Sequence, residues 1–174
     1  MSADALKDAG ARLAAKGLMG AGDSLSVRDH PLERHAAYYR DRPDVGAVLM
    51  TNSPWAGALA LVSADMPGLF DEQVRHLGRK VGRFSPAALR RGDNVLLLED
   101  SVLCFGMTLD RLVFNAELLE KCAKAFLLAH GTGAALTRVP WLVRTIAGRR
   151  LRKDQRFSAR CHAEGRQPVF KSAY

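Results

Sequence analysis

The sequence predicts a mixed α/β protein, a sheet with helices on both sides, on three observations. Two successive apolar runs, NVLLLED and SVLCFGM (94–107), read as neighbouring strands, and the first is continuous enough to lie centrally in a sheet. A third run, GAVLM (46–50), reads as a buried strand that turns into a helix at Ser53-Pro54. The segment 108–131 carries Leu109, Leu112, Val113, Ala116, Leu119, Ala123, Phe126 and Leu127 along one helical face.

The remaining elements follow in chain order. Leu6, Ala9, Leu13 and Ala14 recur at helical spacing, and Gly17 and Gly20 close that helix. GAGDSLSVRD is a glycine turn followed by the short strand LSV. A helix is expected from Pro31 to about Arg42, because Pro43 disfavours helical geometry in the residue before it. DEQVRHLGRKVGRF (71–84) is expected as one helix, with Val74, Leu77 and Val81 on a face and Gly78 and Gly82 weakening it. In the long helix Thr108 is the N-cap, Asp110 favours the positive end of the dipole, and Gly131 is the expected C-terminal cap. After Pro140 a shorter helix, WLVRTIAGRRLRKD, leads into a polar basic end.

The chain has 174 residues, 48% hydrophobic and 25% charged, which excludes a disordered chain and suits one domain. Three widely separated cysteines, Cys104, Cys122 and Cys161, do not make a disulfide framework and fit a reducing compartment. The first residues carry Asp4 and Asp8 and read as a helix rather than a signal peptide. No run approaches the ~20 apolar residues of a membrane span, so a cytoplasmic protein is expected. The net charge of +8 is unevenly placed. Residues 1–137 balance 16 Lys/Arg against 16 Asp/Glu, whereas residues 138–174 hold ten basic residues and two acidic ones. Residues 1–137 are therefore expected as the body, with 138–174 a basic helix and tail on or extending from it.

Four pieces, GAGDSLSVR, HAAYYRDRPDVGAV, NSPWAGALA and LLLEDSVLCFGMTLDRLVFNAELLEKCAKAFLLA, resemble in order and spacing the class II aldolase/adducin family. The resemblance implies a three-layer αβα sandwich around a mainly antiparallel sheet, assembled as a homo-oligomer, commonly a tetramer with sites between subunits. It also implies zinc held by three histidines, a His-x-His at the end of the GAVLM strand and a third after the later apolar strand. Zinc there would stabilise an enediolate as a Lewis acid. The matching positions in this chain are Met50, Asn52 and Asp100, a thioether, an amide and one carboxylate, which make a poor zinc set. The family's general acid/base, a glutamate four residues before the position of His35, is matched by Pro31. The phosphate-gripping loop after the SVR strand is missing, and the family's asparagine in the glycine turn is matched by Ser24. No metal and no cofactor are expected, and zinc-dependent aldol cleavage is expected to be lost.

Each remaining candidate has a plainer alternative. The glycine turn, with Gly22, Ser24, Ser26 and Asn52 as ligand-binding candidates, would cradle a small anion; Asp23 opposes that, and a structural turn is the ordinary reading. Asp100, with Asn52 and Ser101, would suit a hard cation; a strand-end aspartate bonded to backbone is the ordinary reading. His35, near Tyr38 and Tyr39, is a base candidate set against a satisfied helix histidine. Cys104 and Cys122 read as core, and Cys161 lacks a spaced relay partner. The basic cluster Arg144, Arg149, Arg150, Arg152, Lys153 and Arg156 lies beside Trp141, Leu142 and Ile146. It suits a small anionic ligand or acidic partner ahead of nucleic acid or a membrane surface, because aromatics are not interleaved with the charges; a solvated helix at a subunit edge is the ordinary reading.

Three functional readings result. The first is a class II aldolase/adducin-like protein without zinc chemistry, acting as an oligomeric binding or scaffolding protein with a remnant small-anion cleft. The second is a lyase-type enzyme on a sugar-like carbonyl substrate, with a site rebuilt from Asp100, Asn52, His35 and Tyr38 or Tyr39. The third is a nucleic-acid or membrane-surface module driven by residues 138–174.

Overall fold

Alternation along the central strands sets the layers. Successive strand residues point to opposite faces of a sheet, and in this protein both faces are apolar. The computed structural model describes residues 3–62, 65–133 and 135–170. Its strands are β1 (Ser24–Val27), β2 (Ala47–Thr51), β3 (Met66–Pro67), β4 (Lys80–Arg83), β5 (Val95–Leu97) and β6 (Val102–Gly106). They lie in the order β1-β2-β6-β5-β4-β3, antiparallel except for the parallel pair β4–β5. Ala47 and Leu49 of β2, Val95 and Leu97 of β5, and Val102 and Cys104 of β6 enter one core. Val48, Leu96, Leu103 and Phe105 enter the other. Burial on both sides is why these strands read as unbroken apolar runs.

Helices cover both faces, which gives the three-layer αβα sandwich. On the first core lie α1 (Ala3–Ala15), α3 (Pro54–Leu61) and α6 (Leu109–Gly131). The second core is covered by α2 (Ala36–Asp41) through Tyr39 and by α5 (Pro86–Arg91) through Ala88 and Leu89. Gly106 sets the approach of α6: a Cβ there would stand 2.4 Å from the amide nitrogen of Leu112. Only glycine lets the helix start so close to the strand end. Thr108 caps α6 as expected, its side chain accepting from the Arg111 amide. Gly131 remains inside α6, Thr132 is the cap residue, and the left-handed turn falls on Gly133 (φ 71°).

Three stretches differ from the sequence expectations. The helix expected over 71–84 is α4 (Asp71–His76) followed by strand β4. Gly78, at φ 118°, breaks it, and Asn94 ties its end by donating from its amide nitrogen to Leu77 O and from Nδ2 to His76 O. The helix expected from Pro31 begins as a single 3-10 turn, Glu33–His35, before α2. The basic end after Asp154 is not a polar tail: α7 runs from Trp141 to Ala163. Its buried face mixes Ala147, Leu151 and Cys161 with the polar Gln155 and Ser158, and the polar residues are docked. Gln155 Nε2 donates to Gly92 O (2.7 Å), Ser158 Oγ to Asp44 O (2.7 Å), and His162 Nε2 lies 3.2 Å from Met107 O. Polar residues at helical spacing hide a buried face from a reading based on apolar periodicity. Residues 171–174 of the expected tail lie outside the described residues.

A buried ion pair joins the pieces around the second core. Arg42 and Asp44 form a bidentate pair, 2.8 Å on each arm, at 2% and 7% exposure. Arg42 also donates to Asp93 O (2.9 Å) and Asn94 Oδ1 (2.9 Å) and stacks over Phe105. Arg28, from the SVR segment, donates to Val45 O, Tyr39 O and Arg42 O, tying β1 to the end of α2. Among the described residues no helix is long and apolar enough to cross a membrane.

Candidate functional site

The corner after β2 begins where the ladder ends. Thr51 pairs with Val102, and Leu97 pairs with Val102 on the other side of β6, so Asn52 and the 98–101 turn lie at one end of the sheet. At that end a hollow of about 650 Å³ is lined by Arg83, Phe84, Leu98 and Asp100, among others. Arg83 Nη1 donates to Leu98 O at 2.6 Å and holds the turn. Asp100 is exposed on it. Met50 faces the second core with Tyr38 and Leu98 packed beside it. Tyr38 stacks edge-on against Phe84 and Phe105, at 6.3 and 5.7 Å between centroids. Asn52 is exposed, and its Oδ1 lies over buried Gly57, where a Cβ would be only 2.0 Å away.

The glycine turn is already satisfied from within. Gly22 takes φ 90°, a conformation that L side chains rarely adopt. The carboxylate of Asp23 accepts from the Gly20 amide (2.8 Å), the Thr51 hydroxyl (2.8 Å) and the Asn52 amide (3.0 Å). Asp23 thus stands where an external anion would bond.

Ser24 and Ser26, expected to reach a ligand, turn inward instead, at 4% and 1% exposure. Ser24 Oγ is 3.0 Å from His35 Nε2, and Ser26 Oγ is 2.7 Å from His35 Nδ1 and 2.9 Å from Tyr39 Oη. Both ring nitrogens of His35 are therefore engaged. Burial, with a smaller push from Arg34, lowers its pKa to about 4, so the imidazole is neutral near pH 7. Burial likewise pushes Tyr39 up to about 12. The structure brings His35, Ser24, Ser26 and Tyr39 together under α2 and leaves Asn52 and Asp100 exposed at the sheet end. Cys104 and Cys122 are buried thiols raised to about 12, and Cys161 is buried as well.

Glu120 is the residue that sequence reasoning missed. It reaches across from α6 to the start of α3, where Oε2 accepts from the Ser53 hydroxyl (2.8 Å) and Ala56 N (2.9 Å), and Oε1 from Trp55 N (2.7 Å). Ser53 sits at the N-cap, but Glu120 supplies the capping oxygens. The signal was available: Glu120 falls four residues after Ala116 and three before Ala123, inside the apolar stripe. A carboxylate there needs donors. Glu120→Gln keeps the shape and removes the charge facing three donors and a helix N-terminus, so thermal melts are expected to show a loss of about 1–2 kcal/mol. An unchanged melting temperature would contradict this cap.

The basic cluster lies along α7. Arg149, Arg150, Arg152, Lys153 and Arg156 are exposed, while Arg144 is half-buried. Asp154 is drawn to Arg75 at 2.6 Å.

A profile of the family described as Class II Aldolase and Adducin N-terminal domain matches residues 22–127. The chain belongs to the class II aldolase and adducin family. Solved structures of similar fold include an L-fuculose 1-phosphate aldolase, 18% identical, with a TM-score of 0.71 over 87% of this chain and 98% of that one. The L-fuculose 1-phosphate aldolase from Glaciozyma antarctica is 16% identical, with a TM-score of 0.70 over 93% of this chain and 89% of its own. That from Thermus thermophilus is 20% identical, with a TM-score of 0.57 over 76% and 97%. At these identities the likeness is one of fold. No curated protein matches the chain.

In class II aldolase family terms, zinc would have to be held at the positions that the resemblance assigns to Met50, Asn52 and Asp100. Met50 is committed to an apolar cluster, Asn52 to the first turn of α3, and Asp100 alone offers a charged oxygen. Zinc sites are built from imidazole and thiolate with carboxylate, so these residues do not fit it. Among the described residues no three His, Cys, Asp or Glu side chains are grouped as a metal would need.

Proposed function

We propose that this member of the class II aldolase and adducin family does not carry out zinc-dependent aldol cleavage and works as an oligomeric binding or scaffolding protein in the cytoplasm. One observation supports the reading: the positions that the family resemblance assigns to the zinc ligands and the acid/base hold Met50, Asn52, Asp100 and Pro31 in this chain. Removing both the electrophile and the proton carrier removes the two groups an enediolate needs. Oligomerisation is supported by exposed apolar side chains, Leu61 at 75%, Leu128 at 55% and Trp141 at 70%, which a second copy would cover. The small-anion reading is not placed at the glycine turn, since Asp23 takes those donors. A rebuilt lyase site would need a free imidazole, and both nitrogens of His35 are held by serines.

Elemental analysis of protein purified without added metal is expected to find zinc far below one per chain. The variant Met50→His/Asn52→His/Asp100→His should gain zinc, because it restores the three imidazoles that the family resemblance assigns to these positions. Stoichiometric zinc in the unaltered protein, or aldol cleavage that a chelator abolishes, would overturn the reading.

A further inference from the structure

At the opposite end of the sheet, where β6 gives way to α6, α4, α6, α7 and the strap 165–170 enclose a cleft of about 730 Å³. It is separate from the family corner, and the function proposed above makes no use of it. Its lining mixes apolar side chains, Phe114, Phe170, Val143 and Ile146, with three guanidinium groups, those of Arg75, Arg111 and Arg150.

Of these three cations only Arg75 is paired with a carboxylate among the described residues. Arg111 lies 5.2 Å over the Phe170 ring, and its Nη1 donates to His76 Nδ1 at 3.3 Å. That bond leaves the His76 proton on Nε2, and the ring is fixed edge-on against Phe114 at 4.8 Å. Among the described residues neither Arg111 nor Arg150 is in an ion pair. Arg75 spends one arm on Asp154, while its Nη1 is buried with no hydrogen-bond partner. A buried guanidinium N–H without an acceptor is costly. Three carboxylates also border the cleft: Asp71 and Asp110 are exposed, and Glu72 is half-buried. Asp110 is 93% exposed and beside Arg12, and Asp71 accepts from the Glu72 amide.

We propose that this cleft binds a small organic anion, a carboxylate or phosphate monoester whose charge meets Arg75 and Arg111 and whose flat or aliphatic body lies against Phe114, Phe170 and Ile146. Planar guanidinium groups favour such oxygens through paired hydrogen bonds. The aromatic walls make the body of the ligand matter as much as its charge.

Calorimetric titration of the full chain with phenyl phosphate tests this, with inorganic phosphate and phenol as half-probes. Phenyl phosphate is expected to saturate at one per chain and to bind more tightly than either half-probe. Arg111→Met should weaken it about tenfold or more, and Arg156→Met, at an exposed position of α7, should leave it unchanged. Absence of saturable binding at millimolar probe would overturn the proposal. So would equal losses in Arg111→Met and Arg156→Met, which would mean diffuse attraction to a basic helix. Inorganic phosphate binding as tightly as phenyl phosphate would overturn it too. If Arg111→Met fails to fold, Ile146→Trp fills the cleft from an exposed position, and undiminished phenyl phosphate binding by that variant counts against the site.

Discussion

Arg42→Ala is expected to cost about 3–5 kcal/mol, read as a lowered urea midpoint at fixed protein concentration. The loss comes from three sources. Asp44 is left as a buried carboxylate facing no cation at 2.8 Å. Asp93 O and Asn94 Oδ1 lose their donor, and these groups join the end of α4 to strand β5. Phe105 loses the guanidinium that lies over it. Replacing both charges, as in Arg42→Met/Asp44→Leu, should recover only part of the loss. It removes the unpaired carboxylate but leaves Asp93 O and Asn94 Oδ1 without partners. Full recovery would mean that the pair itself, and not its outer bonds, accounts for the cost. A cost below about 1 kcal/mol would show that the site is wetter than its 2% exposure indicates.

Acid is expected to be the second large effect. His35 and His76 are both held near pKa 4 in the folded protein, each chiefly by burial and further by a neighbouring arginine. Unfolded, each titrates near 6.5. Between those values the unfolded chain takes up a proton that the native chain refuses, so stability falls as pH falls. It is complete above about pH 6.5 and drains away toward pH 4, by roughly 3 kcal/mol for each histidine. Urea melts across that range should show the slope. His35→Asn, though weaker at pH 7 for want of its serine bonds, should show a slope smaller by about one proton. An unaltered slope in that variant would mean that His35 is already charged between Ser24 and Ser26.

Legibility followed the type of interaction. Local backbone rules placed the Thr108 cap and the Ser53-Pro54 start, and apolar runs marked β2, β5 and β6, because each signal lies within a few residues of what it specifies. The same rules overran at 71–84, where Gly78 had already been noted as a weak point. There the pull of strand pairing with β5 outweighed the helical period of Val74, Leu77 and Val81. Ser85-Pro86, immediately after that stretch, repeats the signal of Ser53-Pro54, and Ser85 caps α5. Polar contacts between distant segments left no trace in the order of residues. Arg42 reaches partners about fifty positions away, and Gln155 and Ser158 bury themselves against Gly92 and Asp44.

From the sequence alone came the fold class and the family, because apolar runs and ordered motifs are local properties of the chain. Tertiary structure decided which polar groups remain available. It turned Ser24 and Ser26 inward onto His35, gave the glycine turn to Asp23, and set Glu120 at the head of α3. It also gathered Arg75, Arg111 and Phe170 around one cleft from three separate segments. Hydrogen bonds and burial are properties of neighbours in space, and those neighbours exist only once the sheet has brought distant segments together.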